Sequence, residues 1–376
     1  MKLSFVLCLE HLESIKDEWV EVFNDSYTKS PLLSHEFLKL WYDCFLVSDQ
    51  IRIYRATDHG QTIGFLPLVL RRKNCIRILA SLTNDHCFHS DPLVRRGYED
   101  VFPKLILKEL LQDSDTWDVF QHNFSYSFSQ FPGLFSDDLL DNSCVRWERR
   151  TQPTYTVFLN KSFDRYFHSD LTSKMRKNIK MYKNRIAKAG SGSFVHYQGA
   201  DAVRLWPEFV RIENLGWKGD AGSSIRSIDS NFQRYYEGLI NILADREALN
   251  MYFLQIDGKN IAGGFGYIEQ DTFHYAKNGY DEQFKKFSPS NLLLLYIVEH
   301  LKSHFPDVKV FHMFPWDYGY KHRFANGETY CMETILYSQT IGGKALQHFS
   351  TLKKTAKKFL RKAKRGFDEQ PQELKG

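Results

Sequence analysis

Residues 251–268 read MYFLQIDGKNIAGGFGYI, and residues 285–314 read KKFSPSNLLLLYIVEHLKSHFPDVKVFHMF. These two stretches decide the fold. Apolar and aromatic runs, Met251 to Ile256 and Ile261 to Ile268, flank Asp257-Gly258-Lys259-Asn260. Gly258 takes the positive φ of a tight turn at no steric cost, so the segment predicts a β-hairpin. Phe273 to Ala276 begins a third strand. Ser288-Pro289-Ser290-Asn291 then opens a helix over Leu292 to His304, with serine as the cap and proline at the first helical position. Val308 to Phe314 is short and apolar and predicts the next strand. Lys285 and Lys286 stand just before the helix start, whose unpaired N–H groups form an anion site.

The same plan occurs earlier in the chain. Ile51 to Ala56, the turn Asp58-His59-Gly60-Gln61 and Thr62 to Leu70 repeat the hairpin, and Ile76 to Leu79 repeats the third strand. Val101 to Leu111 is helical in pattern and Trp117 to His122 is strand-like. The copies lie roughly 190–200 residues apart, far beyond a solenoid period. They therefore read as two α/β domains in tandem, residues 1–150 and 151–345, followed by a basic helical tail over 346–376. Ser125 to Arg150 is polar and aperiodic and is the expected connection.

The 376 residues suffice for two domains of ordinary size. A net charge of +5 does not by itself demand a nucleic-acid partner. The six cysteines are scattered without a CxxC pair, which argues against a zinc site or a disulfide scaffold and fits a reducing cytoplasm. Glu10 and Glu13 interrupt the first apolar run too soon for a signal peptide, so a first strand is expected there. No stretch approaches the length that spans a bilayer.

Several segments carry polar chemistry. Thr83 to Pro92 holds Asp85, His86, His89 and Asp91. Their irregular spacing does not favour a metal, and the loop reads as a polar strand end or as a wall facing substrate. Ser173 to Ala189 is a basic helix with Met175, Ile179, Tyr182 and Ile186 on one side. Its lysines and arginines read as a solvated face or as phosphate contacts. Glu213 to Ile225 is glycine-rich but lacks the Walker spacing, and Trp217 with Lys218 in it reads as a lid or ligand wall. Phe311 to Phe324 gathers a histidine, an aspartate and several aromatics at a strand end, where α/β folds collect chemistry. Ser350 to Arg365 is a basic amphipathic helix, either solvated or weakly attached to an anionic membrane surface.

Taken in order, these stretches resemble the GNAT acyltransferase superfamily. The branch they are most similar to is described as cellulose- and polysaccharide-biosynthesis-associated acetyltransferases. The resemblance rests on Arg176 to Lys180, Leu215 to Gly219 with Gly222-Ser223, Phe287 to Leu293, Tyr320-Lys321 with Arg323-Phe324, Ser34 to Leu38, and Ile63 to Leu68. Departures from the branch are Ser290 and Trp316, where glycine is usual, and His312, where aspartate is usual.

The resemblance implies an α/β (α+β) fold of two tandem GNAT-like domains, each a mixed β-sheet flanked by helices, the first a degenerate structural half. It implies acetyl-CoA or a longer acyl-CoA as co-substrate, without metal. The donor is expected at Phe273, Tyr275, Lys285, Lys286, Ser288, Ser290, Asn291 and Lys321. An amine must attack a thioester carbonyl, which favours a base titrating near neutrality. His312 is the expected base, Asp317 orients it or holds the amine, and Tyr320 donates to sulfur. Asp85, His86, His89, Arg176, Trp217 and Lys218 are expected on the acceptor side, with His86 and His89 as rival bases. The acceptor is expected to be an amino sugar, foremost a nucleotide-linked one for surface polysaccharide, used in the cytoplasm with no nucleic acid involved. The alternatives are an aminoacyl-tRNA-dependent transferase of the peptidoglycan-bridge type, and a non-enzymatic membrane or nucleic-acid binding module.

Overall fold

Two left-handed residues in succession close one hairpin in each half. His59 and Gly60 have φ of 46° and 82°, and Asp257 and Gly258 have φ of 50° and 77°. This is the pair of conformations that a two-residue hairpin turn requires. The computed structural model describes residues 2–6, 9–46, 49–143, 145–315 and 319–368, with side chains over 12–46, 49–143, 145–315 and 319–355. The first half contributes β1 (Lys2–Val6), β2 (Gln50–Asp58), β3 (Gln61–Lys73), β4 (Ile76–Ser81), the short β5 (Leu93–Val94) and β6 (Val119–Tyr126). Then follow β7 (Arg146–Phe158), β8 (Gly192–Gln198), β9 (Leu249–Ile256), β10 (Lys259–Glu269), β11 (Thr272–Tyr280), β12 (Val310–His312) and β13 (Gly327–Tyr337).

In each half the hairpin and its third strand are antiparallel, and a helix then crosses to a parallel strand. Helix Phe102–Gln112 joins β4 to β6, and helix Pro289–His304 joins β11 to β12. The strands form one sheet in the order β1-β2-β3-β4-β6-β13-β7-β12-β11-β10-β9-β8. The centre of that order is an exchange. β13 comes from the end of the chain yet pairs with β6 of the first half, while β7 pairs with β12 of the second. β7 and β13 pair with each other over eleven residues, from Gly327↔Thr156 to Tyr337↔Arg146.

Several expectations need adjusting. The connection expected through Arg150 already turns to strand at Arg146, because charged residues there lie half exposed beside β13. The final strand is long, Gly327–Tyr337. The strand expected over Val308 to Phe314 is only Val310–His312. The stretch before the glycine-rich segment holds two helices, Gly199–Arg204 and Trp206–Asn214, because Pro207 starts a new first turn. The tail helix is longer than expected, Ile341–Asp368. Ser34 caps helix His35–Phe45 through its side chain, as expected, but Ser288 does not cap its helix.

Three large apolar clusters hold the layers together. One is shared by both halves: Phe37 meets Tyr235 edge-on at 6.2 Å and Phe45 meets Phe232 at 4.9 Å, where helix His35–Phe45 packs on helix Ser230–Asp245. A second surrounds helix Pro289–His304, whose leucines and Ile297 and Val298 are buried on almost every side. The third lies under helix Phe102–Gln112. Helix Ser173–Ala189 buries Met175, Ile179 and Ile186, the stripe read from its spacing.

Candidate active site

β11 and β12 are paired only from Thr272↔Val310 to His274↔His312. Beyond that point β11 continues to Tyr280, while the other chain turns away and Met313 N–H donates to Tyr155 O at 3.0 Å. The register of β10 on β11 also slips between Phe265 and Gly266, opposite Lys277 and Tyr275, which leaves Ala276 as a bulge. The sheet therefore opens along the second half of β11.

A cleft of about 230 Å³ lies at the far end of this opening. The start of helix Pro289–His304 forms one wall, with Ser288, Ser290 and Asn291. Ser288 sits in the left-handed region at φ 50°. Its hydroxyl accepts from Asn291 Nδ2 at 2.7 Å instead of capping the backbone, while its carbonyl accepts from the Asn291 and Leu292 N–H groups at 3.1 and 3.3 Å, which leaves the N–H of Ser290 for the cleft. Lys285, Tyr320 and Arg323 complete this side, and Trp217, Lys218 and Gly216 face them.

The opposite wall depends on close backbone approach. A Cβ on Gly279 would stand 2.5 Å from Glu213 Cα, and one on Gly216 would stand 2.9 Å from Tyr280 O. These two glycines let the turn after helix Trp206–Asn214 lie against the end of β11, where Glu282 N–H donates to Leu215 O.

Beneath that wall is a buried ion cluster. Glu213 is fully buried, with Oε1 3.1 Å from Lys277 Nζ and 3.4 Å from Lys218 Nζ. Its Oε2 accepts from Ile225 N–H at 2.8 Å. Lys218 also donates to Asn278 O at 2.7 Å. Burial, and then the neighbouring Lys277 charge, pushes the Lys218 pKa down to about 8, with Glu213 partly offsetting this. Burial likewise lowers that of Lys277. Two ammonium groups share one carboxylate, so the cluster presents excess positive charge to the cleft.

Of the residues singled out in the sequence, Lys285, Ser288, Ser290, Asn291, Trp217, Lys218 and Tyr320 meet in this cleft. Phe273 and Tyr275 lie in the apolar core beside helix Pro289–His304. Lys286 is exposed, and its carbonyl accepts from Arg185 Nη1 at 2.9 Å. Lys321 is buried and donates to Phe314 O and Pro315 O at 2.8 and 2.9 Å, so it holds a turn. Arg176 likewise ties down backbone, donating to His168 O and Leu171 O. Asp85 is exposed, while His86 bonds to Tyr236 Oη through Nδ1 at 2.8 Å. Burial, and then the charge of Lys277, pushes His86 down to about 4. Asp317 lies outside the described residues. Glu213, Lys277 and Asn278 were not among the site residues drawn from the sequence, because they meet only in three dimensions. Arg323 had a visible signal, three residues after Tyr320 in a short helix.

His312 is fully buried where β11 and β12 part. Its Nδ1 is 3.3 Å from His274 Nδ1, and Nε2 has no hydrogen-bond partner among the described residues. Burial, and then the Lys321 charge, pushes its pKa down to about 3. The titration near neutrality expected from the residue type is thus removed by its surroundings, and the imidazole is neutral at physiological pH.

Residues 173–322 match the family described as "Acetyltransferase (GNAT) domain". Comparison with curated proteins gives no match. Among solved structures, the chain is similar to a conserved protein of unknown function from Bacteroides thetaiotaomicron, at 12% identity and TM-score 0.51, covering 89% of this chain and 100% of that one. It is similar to FemX at 9% identity and TM-score 0.54, covering 88% and 97%. It is also similar to the C-terminal domain of a putative lysylphosphatidylglycerol synthetase from Agrobacterium fabrum, at 11% identity and TM-score 0.53, covering 91% and 97%. At such identities the likeness concerns the fold. The chain has a mixed α/β fold in which two halves repeat one plan, and residues 173–322 of the second half match the GNAT acetyltransferase domain.

Proposed function

We propose that this protein is an acyl-CoA-dependent N-acyltransferase whose acceptor is the amine of an amino sugar, free or nucleotide-linked. The observation that carries the reading is the parting of β11 from β12 beside a cationic cleft at a helix start. The GNAT match over residues 173–322 supports the same class. Lys285, Arg323 and Lys218, with the Ser290 N–H at the helix start, suit the diphosphate of an acyl-CoA donor. Acyl-CoA supplies the activated thioester, and residues of β11 lead from the cleft toward His274 and His312. There the neutral His312 imidazole offers an unpaired nitrogen to the reacting groups. Tyr320, in the cleft wall, is the proposed proton donor to the departing sulfur.

The test is calorimetric titration with acetyl-CoA and with CoA. Micromolar binding is expected, weakened about tenfold or more, roughly 1.4 kcal/mol, by Lys285→Ala or Arg323→Ala. Absence of binding to either ligand overturns the reading.

A second reading has one observation in its favour. Arg185 bonds to the Lys286 carbonyl, which brings the exposed basic face of helix Ser173–Ala189 to the rim of the cleft. A polyanionic donor such as aminoacyl-tRNA would use that face. Salt-sensitive tRNA binding without CoA binding would favour it.

A further inference from the structure

At the opposite end of β11 from the cationic cleft is a second cavity, of about 240 Å³. This is smaller than the roughly 300–1,000 Å³ of pockets for drug-sized ligands. Both halves build it. His89 and Asp91 come from the loop after β4, Tyr126 from the end of β6, and Glu269 and His274 from the β10–β11 turn and β11. Among the described residues, no lysine or arginine lines it.

Its polar groups are poorly paired within the fold. Tyr126 is 3% exposed and its hydroxyl has no partner. Among the described residues, Glu269 Oε2 and His89 Nε2 are also buried without a hydrogen bond, Glu269 Oε2 having only His274 Nε2 at 3.9 Å. Asp91, 4% exposed, has the Ser125 hydroxyl only at 3.4 Å. Burial pushes both carboxyls up to about 7, although Ser129 and Ser125 beside Asp91 and Ser30 beside Glu269 act the other way. Orphaned groups of this kind destabilise the fold unless a ligand satisfies them. His274 links this cavity to the reaction centre, because it both lines the cavity and is the last β11 residue paired with β12.

We infer that this cavity is the acceptor site and that it selects a small primary amine as its ammonium form, held by Asp91, Glu269 and the Tyr126 hydroxyl. The inference rests on the acyltransferase reading for the word acceptor, but the binding preference stands apart from it. Charge is segregated along β11, with cations at the donor end and carboxyls at this one. A diphosphate has no counter-charge here, so the nucleotide of a nucleotide-linked sugar would have to remain outside. The chemistry favours an unmodified amino sugar or another compact amine.

The experiment titrates the full chain with glucosamine, ethanolamine and N-acetylglucosamine at neutral pH, and separately with acetyl-CoA. Glucosamine or ethanolamine is expected to bind at least about tenfold more tightly than N-acetylglucosamine. Glu269→Gln and Asp91→Asn are expected to weaken amine binding by about tenfold or more and to leave acetyl-CoA affinity unchanged. Tyr126→Phe, a milder change, removes only the orphaned hydroxyl and should weaken it by a few-fold, about 0.5–1.5 kcal/mol. Melting temperatures confirm that each variant folds. Equal binding of glucosamine and N-acetylglucosamine, or no amine binding by folded protein, overturns the inference. Amine binding without acetyl-CoA binding leaves the cavity standing and overturns the donor reading instead.

Discussion

His312 shows how far surroundings outweigh residue type. By itself a histidine titrates near neutrality, but here three aromatic rings, Tyr126, Phe128 and Phe314, enclose it at 4.8, 5.3 and 5.2 Å. Replacing it with alanine removes the unpaired imidazole nitrogen at the strand parting and should lower turnover by about a hundredfold or more, measured as kcat with saturating donor. Near-wild-type turnover would remove His312 from the mechanism. The same residue has a signature in stability. Its folded pKa of about 3 lies below the ordinary value of 6.5, as do those of His89 and His122 at about 4. Between those values the unfolded chain binds more protons than the folded one, so stability is lost as pH falls from 6.5. Asp91 and Glu269, raised to about 7, act in the opposite sense, because the folded state binds more protons between their ordinary values and 7. His312→Gln should therefore flatten the acid limb of a pH–stability curve measured by urea unfolding, while Asp91→Asn should steepen it. An unchanged acid limb in His312→Gln would show that the imidazole is not held neutral.

Among the elements, the turn from Glu213 to Trp217 against the end of β11 defines the donor cleft most directly. Gly279→Ala places a methyl against Glu213 Cα, and the backbone there has no flexible tip to yield. The expected cost is about 1–3 kcal/mol, with acetyl-CoA affinity reduced together with stability, because Lys218 and Trp217 move with the turn. Denaturant unfolding and calorimetry on one preparation check both effects, and a folded variant that binds normally would show that the turn does not shape the cleft. Elements of this kind were unequally legible in the sequence. The His59-Gly60 and Asp257-Gly258 hairpins, the Ser34 cap and the stripe of Met175, Ile179 and Ile186 are local signals and were readable. The helix start at Ser288-Pro289 was readable too, although its serine orients Asn291 rather than capping. β7 and β13 carry little signal in the sequence because their outer residues are charged and half exposed, with no apolar alternation to mark them. Glu213 was invisible as a site residue because its partners are Lys218, five residues on, and Lys277 on a different strand.

For the whole molecule, the decisive feature is the exchange of β7 and β13 between the halves. β6 of the first half finds its second neighbour only in β13, late in the chain, while β7, which spans the boundary, pairs with both β13 and β12, and the shared cluster around Phe37 and Tyr235 joins the halves again. Residues 1–158 and 159–376, expressed separately, are expected to lack a cooperative unfolding transition, and co-expression to restore one. A sharp, independent transition in either fragment would refute this dependence. The exchange also sets a timetable for synthesis. β6 ends at residue 126, but its neighbour β13 ends at residue 337. At about 5–20 residues per second, the first half leaves the ribosome with an open sheet edge for roughly 10–40 s. A nascent chain in that condition is a natural client for chaperones, and any stall in translating the second half prolongs its risk of aggregating.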